Sequence, residues 1–198
     1  MYNQYLIFQN RLINFIFYIY NNIKMRFLVT SYGGGKIHGH FRLTKNENAI
    51  IKIGSHFYMS SGRNNPLSRN LSSWIYAGKN ATIEIGHHVG VSSSSIWAHE
   101  KIQIGNYVNI GADTIIIDSD AHSLDWHLRR NIESDIENKK SKPIIIEDDV
   151  LIGTRCIILK GVKIGARSII GAGSVVTGNI PPDEIWAGNP AKKIKSLI

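Results

Sequence analysis

His122 closes the run Asp118-Ser119-Asp120-Ala121-His122 and is the best-equipped chemical group in this chain of 198 residues. A neutral imidazole can remove a proton from an attacking hydroxyl and return it to a departing group, and it does both near neutral pH. Either Asp118 or Asp120 can accept the other ring N–H and so hold the tautomer, as a backbone carbonyl also can. The histidines admit metal chemistry too. His122 and His127 lie five residues apart, with His87 or His88 upstream, and three neutral imidazoles can hold zinc with one position open for water. The single cysteine, Cys156, sits at a repeat position that calls for a small packed side chain rather than a nucleophile. With no second thiol there is no intrachain disulfide, which suits a reducing compartment.

The elements that must position these groups are written in a six-residue period. From Ile146 to Pro181 the chain reads IEDDVL, IGTRCI, ILKGVK, IGARSI, IGAGSV, VTGNIP. Ile146, Ile152, Ile158, Ile164, Ile170 and Val176 open the hexads. Val150, Cys156, Val162, Ser168, Ser174 and Ile180 follow at the fifth place. This period is neither helical nor a simple strand alternation; a short fixed repeat specifies a solenoid. Each hexad gives a short strand and a corner, so three complete a triangular coil whose backbone pairs in parallel ladders around an Ile/Val column. The same pattern recurs from Ile85, Val91, Ile104, Ile110 and Ile116, and faintly from Ile37 and Ile53, for roughly five coils in all. One step, Ile85 to Ile104, is a residue too long, which predicts a bulge near Trp97.

The register breaks after Ala121 and resumes at Ile146, so residues 122–145 form an excursion with His122 at its foot. It is polar around the apolar anchors Leu124, Trp126 and Leu128, and long loops on rigid scaffolds commonly carry function. Residues 1–30 are a separate apolar helical segment, with Tyr5, Phe8, Leu12, Phe15, Ile16, Ile19 and Ile23 at helical spacing. Gln9, Asn10, Arg11 and Asn14 interrupt it, so it is a poor membrane span, and no small-residue cleavage site follows. The stripe is expected to pack against the solenoid and hide its open ladder edge, because it lacks a strongly basic opposite face. Peripheral contact with the inner membrane through residues 5–23 is the second reading. The net charge of +8 comes from scattered Lys and Arg without a nucleic-acid-binding motif, so phosphate-bearing ligands, and no nucleic acid, account for it.

Residues 83–195 resemble the hexapeptide-repeat acyltransferases of the maltose/galactoside acetyltransferase-like branch, nearest those that serve polysaccharide assembly. The segments DSDAHSLDW, IGAGSVVTGNIPP and WAGNPAKKIK carry the likeness. It implies an all-β, left-handed parallel β-helix over 31–186, an N-terminal helix, the protruding 122–145 loop, and a tail at 187–198 forming a short helix. It further implies a cytoplasmic homotrimer that binds acetyl-CoA between neighbouring prisms, needs no metal, and acetylates a saccharide acceptor. His122 matches the family's catalytic histidine. Thr154, Ala172, Thr177 and Gly178 match positions lining the cofactor groove, Lys192 and Lys195 match residues that reach the CoA phosphates, and Lys193 between them can substitute. Ser92 matches a polar position facing the acceptor, and Trp126 can stack on a sugar face or simply anchor the loop.

Two departures bear on the acceptor. Leu151 stands where the family often has Trp, and Ser92 where the sugar acetyltransferases have Asn, so an acceptor other than galactoside or maltose is expected. N-acetylation of an amino sugar is the near variant. A zinc hydratase like the γ-class carbonic anhydrases, which share the fold, and a silent scaffold are the alternatives from other classes.

Overall fold

In the computed structural model, which describes residues 2–62, 65, 67 and 71–198, with side chains in the first helix from residue 12 onward, the hexads wind into a three-faced parallel solenoid. The first face stacks Ser31–Tyr32, Ile50–Ile53, Thr82–Ile85, Lys101–Ile104, Ile144–Ile146 and Lys163–Ile164. The second stacks Gly35–His38, Phe57–Ser60, Gly90–Ser92, Asn109–Ile110, Leu151–Ile152, Ile169–Ile170 and Glu184–Ala187. The third stacks Arg42–Lys45, Trp74–Ala77, Ser95–Ala98, Ile115–Ile117, Ile157–Ile158 and Val175–Val176. Ile146 pairs Ile164, Ile152 pairs Ile170 and Ile158 pairs Val176, each eighteen residues on, as a coil of three hexads requires.

From Ile146 to Pro181 the opening and fifth-place residues of the hexads point inward and are buried. Each fully buried aliphatic side chain contributes about 1.5–3 kcal/mol of transfer free energy, so the column is the main cohesive element. The inward hydroxyls are satisfied locally: Ser168 donates to the Pro181 carbonyl at 2.7 Å and Ser174 to that of Gly171 at 2.5 Å. Cys156 is buried at its repeat position, and burial pushes its thiol above the usual range, so it is packing. The glycine following the opening Ile is there for space. A Cβ on Gly153 would lie 2.6 Å from the Ala172 amide nitrogen, and one on Gly165 would lie 2.4 Å from the nitrogen of Pro182. Corners turn through left-handed residues such as Asp149, Arg155 and Arg167, at φ near 60°.

Several details differ from the sequence reading. Trp97 keeps regular parallel register with Tyr76 and Ile117, so there is no bulge there. The nineteen-residue step is carried by ladders that stay in register, Ile85 with Ile104 and Val91 with Ile110. A second excursion, between Phe57–Ser60 and Trp74–Ala77, separates Ile53 from its partner Ile85 by thirty-two residues. The first face has six rungs rather than five. The tail is not helical: Lys192–Ser196 is a strand, antiparallel to Glu184–Ala187. That pairing closes an edge whose donors and acceptors would otherwise face water, which outweighs the modest helical preference of lysine. The N-terminal helix, α1, spans Tyr2–Leu28 and meets the first coil through its C-terminal half.

Candidate active site

His122 leaves the third face just after Ile115–Ile117, at the corner leading to the first face. The excursion above it has a short stem. Ser119 and Ser141 form an antiparallel bridge, the Asp120 amide donates to the Lys140 carbonyl, and the Lys142 amide donates to that of Asp118. Beyond the stem a seven-residue helix, α2 (Ile132–Asn138), begins at Asn131, whose side chain accepts from the amides of Glu133 and Ser134. Arg129 ties the loop down by donating to the Ser123 and Leu124 carbonyls at 2.7 and 3.0 Å. Of the expected apolar anchors Leu124 and Trp126 are exposed and Leu128 is half-buried, and Ile132 and Ile136 are exposed as well, so polar contacts do much of the holding.

The helix exists to deliver one carboxylate. Asp135 is buried; its Oδ2 lies 2.6 Å from Nδ1 of His122, and its Oδ1 accepts from the Ser123 amide at 2.7 Å. The imidazole bond, then the Ser123 N–H, hold the Asp135 carboxyl below its usual range, so it is ionised at neutral pH. An ionised carboxylate accepts only, which makes Nδ1 the ring's donor and, in the neutral imidazole, leaves Nε2 with a bare lone pair. The His122 side chain is 70 % exposed against 11 % for Asp135, so the ring projects outward from a fixed base.

The expected orienters, Asp118 and Asp120, are therefore corrected. Buried Asp118 accepts from the amides of His99 and Glu100 at 2.7 and 2.8 Å and pins the corner below. Asp120 pairs with Lys160 at 3.0 Å. Within one chain the zinc triad does not assemble: His87 and His88 turn the corner between the first and second faces, not the His122 corner. His88 stacks between His56 and Tyr107, and the His127 ring lies against Trp126. Among the described residues no three His, Cys, Asp or Glu side chains gather to hold a metal ion.

The remaining expected positions divide between two corners. Ser92, Thr154 and Ala172 stand where the second face turns into the third, while Thr177 and Gly178 share the third-to-first corner with His122. One chain does not unite the two sets, because the third face separates them. Ala172, Thr177 and Gly178 are exposed, whereas Thr154 donates to the Ala112 carbonyl at 2.5 Å. Lys192 and Lys195 are exposed on the tail strand, but Lys193 is held 2.5 Å from Glu184 and is not the free substitute its position promised. Trp126 is half-exposed with Arg130 over its ring at 4.3 Å.

A pocket of about 490 Å³ opens on the His122 corner beneath the excursion, lined in part by Tyr76, His99, Lys139 and Ser141. Burial, then the Lys139 ammonium 3.1 Å away, push His99 down to about 4 from 6.5. Between those values the unfolded chain binds a proton that the folded chain refuses, so stability rises with pH across this window and falls on acidification through it. Thermal midpoints should therefore drop from pH 6.5 toward pH 4, with a flatter profile for His99→Asn. Equal slopes for the two proteins would contradict that origin.

Comparison with known proteins agrees with the architecture. Residues 143–178 match the family model described as the hexapeptide repeat of succinyl-transferase. A maltose O-acetyltransferase from Clostridium difficile 630 is 25 % identical, with a TM-score of 0.53 over 98 % of this chain and 86 % of that one. An N-acyltransferase from Bacillus cereus, solved with dTDP-4-amino-4,6-dideoxyglucose and coenzyme A, shares the fold at TM-score 0.68 and 20 % identity, over 90 % and 88 % of the two chains. A 2,3,4,5-tetrahydropyridine-2,6-dicarboxylate N-acetyltransferase of Clostridium perfringens is 53 % identical over 62 residues, 31 % of this chain and 26 % of that enzyme. The chain thus spans only about a quarter of the curated relatives it matches. The class is that of the left-handed parallel β-helices built from hexapeptide repeats. Within it, the likeness is to the hexapeptide-repeat acyltransferases, the maltose and galactoside acetyltransferases among them.

Proposed function

We propose that the chain is an acetyl-CoA-dependent O-acetyltransferase acting on a sugar or saccharide hydroxyl, in capsule, O-antigen or exopolysaccharide assembly in the cytoplasm. The observation that carries this reading is the His122–Asp135 pair, which presents a bare Nε2 at the foot of a protruding loop. That nitrogen removes the acceptor's proton as its oxygen attacks the thioester carbonyl, and the resulting imidazolium protonates the departing CoA thiolate. Asp135 stabilises the imidazolium and fixes the ring. Transfer is direct, in a ternary complex: Cys156 is buried, and Ser55, whose hydroxyl lies 2.8 Å from His87 Nδ1, stands on the corner between the first and second faces, away from His122.

The working unit we propose is a homotrimer. Thr154 and Ala172 on one prism's corner would face Thr177, Gly178 and His122 on its neighbour's, with acetyl-CoA between them and Ser92 toward the acceptor. The exposed Leu124, Ile132 and Ile136 of the excursion give the loop an apolar surface to lay on that neighbour. Light scattering should report three chains; a stable monomer at micromolar concentration would count against a shared groove.

Lys192 and Lys195 are the proposed partners of the CoA phosphates. Their joint replacement by Ala should raise the KM for acetyl-CoA by about tenfold with little change in kcat, because phosphate contacts bind ground and transition states alike. A fall in acceptor affinity with acetyl-CoA affinity intact would contradict the assignment. A second reading, transfer to the amine of an amino sugar, draws support from the N-acyl and N-acetyl chemistry named for two of the relatives. The products separate the readings, because mild alkali cleaves an acetyl ester and spares an acetamide.

A further inference from the structure

We infer that α1 docks on an anionic bilayer surface through the outward stripe formed by Leu12, Phe15, Ile16, Ile19, Ile23 and Phe27. The helix carries two apolar faces, and the solenoid uses one. Phe17, Asn21 and Met25, one turn apart, face the first coil. Asn21 donates to the carbonyls of Ile37 and Gly39 at 3.3 and 2.8 Å, Met25 is buried, and Phe17 meets the His40 ring edge-on at 6.3 Å. Lys24 donates to the Phe41 carbonyl at 2.8 Å beside them. At a hundred degrees per residue the stripe falls half a turn away, on the opposite side of the helix. Its members are exposed, Phe15 by 59 % and Phe27 by 82 %, and no described part of the chain covers them.

Charge chooses the occupant. Residues 1–46 contain Arg11, Lys24, Arg26, Lys36, Arg42 and Lys45 and not one Asp or Glu. Arg26, Lys36, Arg42 and Lys45 are exposed around the helix and the coil beneath it. A second copy of this chain would bring those like charges together, whereas an anionic lipid surface complements them. The usual basic polar face of a surface-seeking helix is replaced here by the solenoid itself, whose first coil supplies the cations. Among the described residues no helix is long and apolar enough to cross a bilayer; an interfacial helix would seat its outward side chains among the headgroups and upper acyl chains.

This inference does not depend on the acetyl-transfer reading, and neither does its test. The full chain should co-sediment with mixed phosphatidylcholine–phosphatidylglycerol vesicles without acetyl-CoA present, less with phosphatidylcholine alone, and less in high salt. Ile16→Glu/Ile19→Glu alters only exposed positions, so its thermal midpoint should match the parent while vesicle binding falls at least tenfold. Three results would each overturn the proposal. They are a parent chain that stays in the supernatant with anionic vesicles, a double variant that binds as well as the parent, and a double variant whose lipid-free mass in light scattering falls below the parent's, which would place the stripe between copies.

Discussion

His122→Ala should lower kcat by roughly 10²–10⁴, the usual contribution of a positioned general base. The loss should appear in kcat and kcat/KM together, because the proton is transferred only on the way to the transition state. Acetyl-CoA affinity and the oligomer should survive, since the side chain is 70 % exposed on a loop base and takes no part in the buried column. Near-normal turnover in this variant would remove His122 from the chemistry.

The second large effect is expected from Asp135→Asn, with kcat down by about 10²–10⁴ and little change in the KM for acetyl-CoA. The substitution keeps the size of the side chain and its oxygen for the Ser123 amide. What it changes is the group facing Nδ1 at 2.6 Å: an amide N–H there favours the tautomer with the proton on Nε2, which can no longer act as a base. Asp118→Asn makes the informative contrast. Asp118 binds the backbone of His99 and Glu100, so its replacement should lower the thermal midpoint more than it lowers turnover in the folded fraction.

These two variants also mark what the sequence discloses and what it hides. The solenoid was legible because a hexad is a local rule: Ile146, Ile152 and Ile158 each announce a face without reference to anything distant. The partner of His122 obeys no local rule. Asp135 is thirteen residues downstream and reaches the ring because the excursion folds back on its stem, so the nearer Asp118 and Asp120 looked better placed. A signal was there nonetheless. Asn131 followed by Ile132-Glu-Ser-Asp-Ile136 reads as an N-cap and one short amphipathic helix, which would have set Asp135 on a rigid element.

The apolar stripe of the first helix misled for a different reason. Periodicity reveals an apolar face but not which of two faces the core takes, and here Asn21 and Met25 outcompete it by bonding and filling the open end of the first coil. In the tail, Lys-Lys-Ile-Lys has no strong preference of its own, and the unpaired edge of Glu184–Ala187 decides. The cofactor positions were read singly from motifs; that they fall on two corners is a consequence of topology, visible only once the coils are stacked.

The proposed reaction is direct acetyl transfer from CoA to a saccharide hydroxyl with His122 as base. Its most direct test follows free thiol and product together when the chain is mixed with acetyl-CoA and a panel of saccharide acceptors. Thiol release should depend on the acceptor, with one alkali-labile acetyl ester on the saccharide per thiol and loss of both in His122→Ala. Acceptor-independent thiol release, or an acetylated protein isolated without acceptor, would contradict it.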